Sequence, residues 1–269
     1  MLLGSRFLQA KLSSFLLPFH YPFTTLLLPL TNMQIEICFS PSLIQLYEHR
    51  DSVVVVTDVF RATTTICTAF ANGASYIIPV ATEQEALAYK SLGHLVGAEQ
   101  ATERCSFADF GNSPSEYSVD KVNGKSIVFM TTNGTKAIKG AADCYQLLIG
   151  AFVNLRALTE RILSLGKDVL IVCSGANGRI CLEDSLFAGA LTSTLLAEDG
   201  VEAASDGARM AVALWHQANR DFSNILLQSE HARRLIQHGF RSDINYCLRR
   251  SIFGVVPELQ GDKLIVKKD

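Results

Sequence analysis

The stretch Val53-Val-Val-Val-Thr-Asp-Val-Phe-Arg-Ala-Thr-Thr-Thr65 decides how the rest of the chain is read. Four valines in a row show no alternation, so they predict a strand buried on both faces, as in a parallel sheet. The run ends in Thr57 and Asp58, and a helical pattern follows over residues 63–71. Ligands of open α/β sheets bind beyond the carboxyl ends of the strands. Asp58, Arg61, Thr63, Thr64 and Thr65 are therefore the first candidates for a site. Their chemistry suits a metal-bound phosphate. A helix start offers unpaired N–H groups and about half a positive charge. Arg61 brings a planar fork for two phosphate oxygens, and Asp58 can hold a cation or attack phosphorus. A plain strand end, an N-cap and a surface ion pair would use the same residues without any function.

Further strands are expected at residues 34–39, 75–80, 94–98, 126–130, 145–149 and 168–173. Helical patterns occupy residues 42–49, 82–91 and 154–165, with Thr82 and Glu85 forming a capping box and Asn154 an N-cap. A short helix should start at Ser113-Pro114, and a long one should cover residues 182–197. The pattern then stays helical to about Gly239, with starts at Asp206, Asn224 and Ser229. Short strands over 255–259 and 264–266 close the chain. This alternation predicts a three-layer α/β/α fold with a mostly parallel sheet. The shift toward helices predicts two subdomains with a boundary near residue 180.

The 269 residues carry a formal net charge of −2 and a pI near 6.3, and no dense basic run appears: Arg233-Arg234 and Arg249-Arg250 are no more than pairs. A nucleic-acid footprint is not supported on that ground. A small anionic ligand needs only local positive groups and is not excluded. The seven cysteines form no CxxC pair, and the six histidines show no zinc spacing. Cys38, Cys67, Cys144 and Cys173 read as buried thiols of a reducing cytosol. Residues 1–32 stand apart, rich in Leu and Phe and broken by Pro18, Pro22 and Pro29. Their apolar stretches are too short to span a bilayer, and no clean cleavage site follows. Because Met33 opens a natural first strand, residues 1–32 are expected to be a gene-model artefact or a disordered tail. An export signal is the alternative.

Two more strands end in small polar turns, Thr131-Thr-Asn-Gly-Thr135 and Ser174-Gly-Ala-Asn-Gly178. Such turns let backbone amides and hydroxyls approach an anion. Three of them at one rim would form an anion site. Chain reversal alone can also explain each turn. Acidic residues accompany them: Glu183 and Asp184 at a helix start, Glu99 and Asp109 near loops. Magnesium prefers a few carboxylates together with water and substrate phosphate, which Asp58 with Glu183 or Asp184 would supply. First-turn acids also complement the helix dipole. Met130 and Trp215 read as core, and His216 and His231 as packed or surface helical residues. Neither a GxSxG elbow nor a GxxxxGK[ST] loop is present.

In order, the motifs Thr57-Asp-Val-Phe-Arg-Ala-Thr-Thr-Thr65, Gly97-Ala-Glu99, Phe110-Gly-Asn-Ser-Pro114, Thr131–Thr135, Cys173–Gly178 and Leu182-Glu-Asp-Ser-Leu-Phe-Ala-Gly189 resemble the 2-phosphosulfolactate phosphatases, the ComB-type family tied to coenzyme M synthesis. Ser229-Glu-His231, Gly239-Phe240, Asp243, Cys247 and Val256-Pro257 extend the resemblance to the tail. It implies a cytoplasmic, magnesium-dependent α/β enzyme that converts (2R)-2-phospho-3-sulfolactate to (2R)-3-sulfolactate and phosphate. It implies a small anionic substrate, no nucleic acid and no membrane, and it allows a homodimer. On this reading Asp58 and Arg61 are catalytic, and Asp58, Glu99, Glu183 and Asp184 hold Mg2+. Thr63, Thr64, Asn112, Ser113, Thr131, Thr132, Asn133, Gly134, Thr135, Ser174, Gly175, Asn177, Gly178 and Arg179 bind substrate. A strand-end Asp also resembles the haloacid-dehalogenase phosphatases, but those carry a second Asp where this chain has Phe60. Water attack with Asp58 on the metal is favoured over an aspartyl-phosphate. Hydrolysis of another phosphorylated hydroxy acid, or anion binding without catalysis, are the alternatives.

Overall fold

The structure is a computed structural model that describes residues 32–267. The segment 1–32 set apart above lies, except for Asn32, outside the described residues. Eleven strands form one sheet. They are β1 Met33–Cys38, β2 Val53–Thr57, β3 Tyr76–Pro79, β4 Leu95–Gln100, β5 Glu103–Arg104, β6 Ser126–Met130, β7 Gln146–Gly150, β8 Val169–Cys173, β9 Val201–Ala203, β10 Glu258–Gln260 and β11 Lys263–Ile265. The helices are α1 Ala62–Ala71, α2 Glu83–Ser91, α3 Val119–Val122, α4 Gly134–Gly140, α5 Leu155–Leu165, α6 Leu182–Leu195, α7 Asp206–Ala218, α8 Phe222–Leu227, α9 Glu230–Gln237 and α10 Arg241–Cys247. Among the described residues no helix is long and apolar enough to cross a membrane.

The valine run behaves as its composition requires. All of β2 is buried, and it pairs in parallel with β7 on one side and β8 on the other. One parallel group runs β7-β2-β8-β1-β9, and a second runs β4-β6-β3. The tail hairpin β10–β11 joins them, and each of its three junctions is antiparallel. Three reversals leave the two groups running in opposite senses. Their apolar faces nevertheless share one core. Ile77, Ile127 and Phe129 of one group lie with Val54, Val56 and Leu170 of the other, around Ile66 and Phe70 of α1. The sheet thus folds around α1, and the carboxyl ends of β2, β6 and β8 meet across it. The sequence pattern had suggested one rim of one set of strands. The reversal comes from the tail hairpin, which pairs with β7 and β3 through one residue pair each.

Because it is enclosed, α1 has no polar face, and every residue from Ala62 to Phe70 is buried. Its threonines tolerate this because their hydroxyls donate to backbone carbonyls: Thr63 to Asp58, Thr64 to Val59, Thr65 to Asn112 and Thr68 to Thr64. The outer layers follow from amphipathic patterning. Helices α5, α6 and α7 pack Leu158, Leu186 and Ala208 on the far face of the larger group. Helix α2 sets Ala86 against Ile78, Val96 and Val128 of the smaller one, and its Thr82–Glu85 capping box is present.

Several local expectations give way to tertiary contacts. Residues 42–49 hold only the short 3-10 turn Pro41–Leu46. Ser205 rather than Asp206 caps α7, and Asn224 lies inside α8. Asn154 stands at the N-cap position of α5, but its side chain makes no cap bond to that helix. It donates to the carbonyls of Ile149 and Val255 and accepts from Ala151 N–H, tying β7 to the tail.

Helices α6 and α7 approach so closely at Gly189 that a Cβ there would lie 2.1 Å from the Ala211 carbonyl oxygen. Backbone cannot swing aside as a side chain can. Gly189→Ala should therefore cost about 1–3 kcal/mol, read as a lower urea midpoint. An unchanged midpoint would show that the helices separate freely.

Candidate active site

Segments from across the fold meet in a cleft of about 330 Å3. The end of β2 supplies Asp58, the end of β4 Glu99, the turn after β6 Thr131, Thr132 and Asn133, the loop after β8 Asn177, and helix α9 His231 and Arg234. Gly134 permits the approach of α4 to α1, since a Cβ there would lie 2.8 Å from Ala62 Cβ and 3.1 Å from Asp58 Oδ2. Asn133 Oδ1 accepts from Asn177 N–H at 3.3 Å and joins the two strand groups over the cleft.

Asp58 is 6 % exposed, and among the described residues no donor meets its carboxylate. Burial pushes its pKa well above the usual carboxylate range, followed by the charge of Asp184. Glu99 and Glu183 add to this, while His231 opposes it. Asp184 is also pushed up, by burial and then by Glu183. Its oxygens are occupied: Oδ1 accepts from Val59 N–H at 2.9 Å and Oδ2 from Gly175 N–H at 3.0 Å. Asp184 therefore pins the residue after Asp58 to the loop after β8. Glu183 is fully buried, with Oε1 2.6 Å from His231 Nδ1 and Oε2 without a partner. Glu99 accepts from Thr102 N–H and from the side-chain amide of Asn112.

The three polar turns differ in what they offer. Thr63 and Thr64 are committed to the carbonyls of Asp58 and Val59, just ahead of α1. In the β6 turn, Thr131 and Thr135 bond each other, while Thr132 lines the cleft with its buried hydroxyl unpartnered. In the loop after β8, Gly175 N–H goes to Asp184 and Ala176 N–H to the Arg179 carbonyl. Ser174 is buried with its hydroxyl unpartnered, Gly178 bends the chain at φ +77°, and only Asn177 of this loop reaches the cleft. Asn112 lines the cleft with Oδ1 unpartnered, whereas Ser113 donates to Asp243 away from it.

Arg61 borders the cleft, yet its fork is taken. Nη1 donates to Asp243 at 3.0 Å, Nη2 donates to the Thr102 carbonyl at 3.2 Å, and the guanidinium lies over the Phe240 ring. Arg234 is different: its Nε is buried and unpartnered. Sequence reasoning passed over His231, Arg234 and Asp243 as site residues. The signal available was the spacing of His231 and Arg234, three apart on one helix and hence on one face. Arg179 is exposed and lines a neighbouring hollow, and Asp109 pairs with Lys90 outside the cleft.

The 2-phosphosulpholactate phosphatase family model matches residues 38–262. A protein of Thermotoga petrophila named "Probable 2-phosphosulfolactate phosphatase" is 41 % identical over 214 residues, which cover 80 % of this chain and 92 % of that protein. A protein of Carboxydothermus hydrogenoformans with the same name is 39 % identical over 239 residues, covering 87 % of this chain and 98 % of its own length. The matched span contains every strand that lines the cleft as well as α9. The chain belongs to the 2-phosphosulpholactate phosphatase family.

Proposed function

We propose that this cleft hydrolyses (2R)-2-phospho-3-sulfolactate to (2R)-3-sulfolactate and phosphate with the help of magnesium. The observation that carries the reading is a set of polar groups in one cleft with no partner in the protein: the Asp58 carboxylate, the Thr132 hydroxyl and Asn112 Oδ1. An unmade hydrogen bond at a buried group costs about 1–3 kcal/mol, so such a set fits a polar ligand better than an inert fold. The family match supports the phosphate ester as that ligand.

No three His, Cys, Asp or Glu side chains among the described residues form a ready-made metal cage. Magnesium does not need one, because it keeps water and substrate oxygens among its ligands. Asp58 fits as its principal carboxylate, unpaired and pressed by like charges. Asp184 and Glu99 stand behind it, their oxygens already shared with donors. Bound there, the ion would offset charge on the phosphoryl oxygens.

His231 donates Nδ1–H to Glu183, which leaves Nε2 to take a proton from attacking water. Phe60 is buried against His231, so no second carboxylate stands where an aspartyl-phosphate route would use it. His231→Gln should lower kcat by roughly 10²–10⁴-fold with a smaller effect on KM. A kcat within twofold of wild type would remove His231 from the reaction. A step toward coenzyme M is part of the proposal and rests on the family resemblance alone.

The test is phosphate release from 2-phosphosulfolactate before and after chelation. Release that stops in chelator and returns with magnesium is expected. Release indifferent to chelation would contradict the metal, and no release from folded protein would contradict the activity.

A further inference from the structure

Beside the Asp58 cleft lies a second hollow of about 520 Å3. The two are contiguous, since Asn177, His231 and Arg234 line both. Arg234 stands at the junction with Nε buried and unpartnered. Arg179 enters the same hollow from the other side, on a loop fixed by its two backbone bonds with Ala176. Among the described residues, neither arginine has a carboxylate within ion-pair distance. Two acids also border the hollow. Glu183 bonds His231, and Glu230 is exposed.

Two unpaired guanidinium groups in a hollow that opens onto the Asp58 cleft suit a second oxyanion. Resting on the phosphatase reading of the cleft, we infer that this hollow holds the acid end of the substrate through Arg234 and Arg179. It selects phosphate monoesters that carry a carboxylate or sulfonate a few bonds from phosphorus. Arg61 cannot take this part because its fork is closed by Asp243 and the Thr102 carbonyl. Arginine suits both ligands, since its planar donors match two oxygens of either group.

The experiment compares kcat/KM for 2-phosphosulfolactate, 2-phospholactate and ethyl phosphate in wild type, Arg234→Gln, Arg234→Lys and Arg179→Gln. The preference of the acid-bearing esters over ethyl phosphate should fall by roughly 10- to 100-fold in Arg234→Gln. It should fall less in Arg234→Lys, which keeps the charge and loses the fork, and should also fall in Arg179→Gln. A larger fall for phosphosulfolactate than for phospholactate assigns the hollow to the sulfonate, and equal falls assign it to the carboxylate. Loss of all three esters in equal proportion would overturn the inference. Calorimetric titration with unphosphorylated sulfolactate reads the hollow even without turnover. Binding weakened in Arg234→Gln supports it, and binding equal to wild type overturns it.

Discussion

Asp58→Asn is expected to abolish turnover and, in the same protein, to raise stability in the absence of metal. The carboxylate is buried, meets no donor and faces the charge of Asp184. Its folded pKa is raised, so the folded state holds a proton that the unfolded chain releases between the usual carboxylate range and the raised value. Stability must then fall as pH rises through that window. Asparagine removes the charge and keeps the shape, and the Asp58 backbone bonds with Thr63 do not depend on the side chain. Denaturation in chelator at pH 8 should show the variant about 1–3 kcal/mol more stable, with the difference vanishing toward pH 4. Activity should drop by at least about 1,000-fold if Asp58 holds the ion that offsets transition-state charge. A variant that is inactive and also destabilised would point to a packing role.

Asp184→Ala should act in the opposite sense. It leaves Val59 N–H and Gly175 N–H without acceptors in a buried setting. Each orphaned donor costs about 1–3 kcal/mol, and relief of the buried charge returns part of it. A net loss of roughly 2–4 kcal/mol is expected by chemical denaturation. Catalysis should weaken too, because Val59 follows Asp58 directly and its anchor fixes where the Asp58 carboxylate points. A loss below about 0.5 kcal/mol, the range of ordinary surface changes, would mean that the two loops are held by something else.

Part of this was legible in the chain, for local reasons. The valine run and the Thr82–Glu85 box act over neighbouring residues, so β2 and α2 follow from composition and capping. Asp58 was legible because a strand end in an α/β fold is a defined place. Other features depend on distant partners. Arg61 reads as a phosphate fork until Asp243, 182 residues away, closes it. His231 and Arg234 enter the cleft only because α9 returns to the end of β2. The loop after β8 looks like an anion cradle, but its amides turn inward to Asp184 and Arg179. The opposed strand groups arise from a tail hairpin that holds each neighbour by one residue pair.

The most direct measurement is kcat/KM with magnesium for 2-phosphosulfolactate beside 2-phospholactate and phosphoglycolate. A preference of at least about tenfold for phosphosulfolactate, equivalent to ~1.4 kcal/mol in the transition state, is the predicted result. Equal turnover of all three esters, or faster turnover of one lacking the sulfonate, would contradict the assignment of this cleft to phosphosulfolactate.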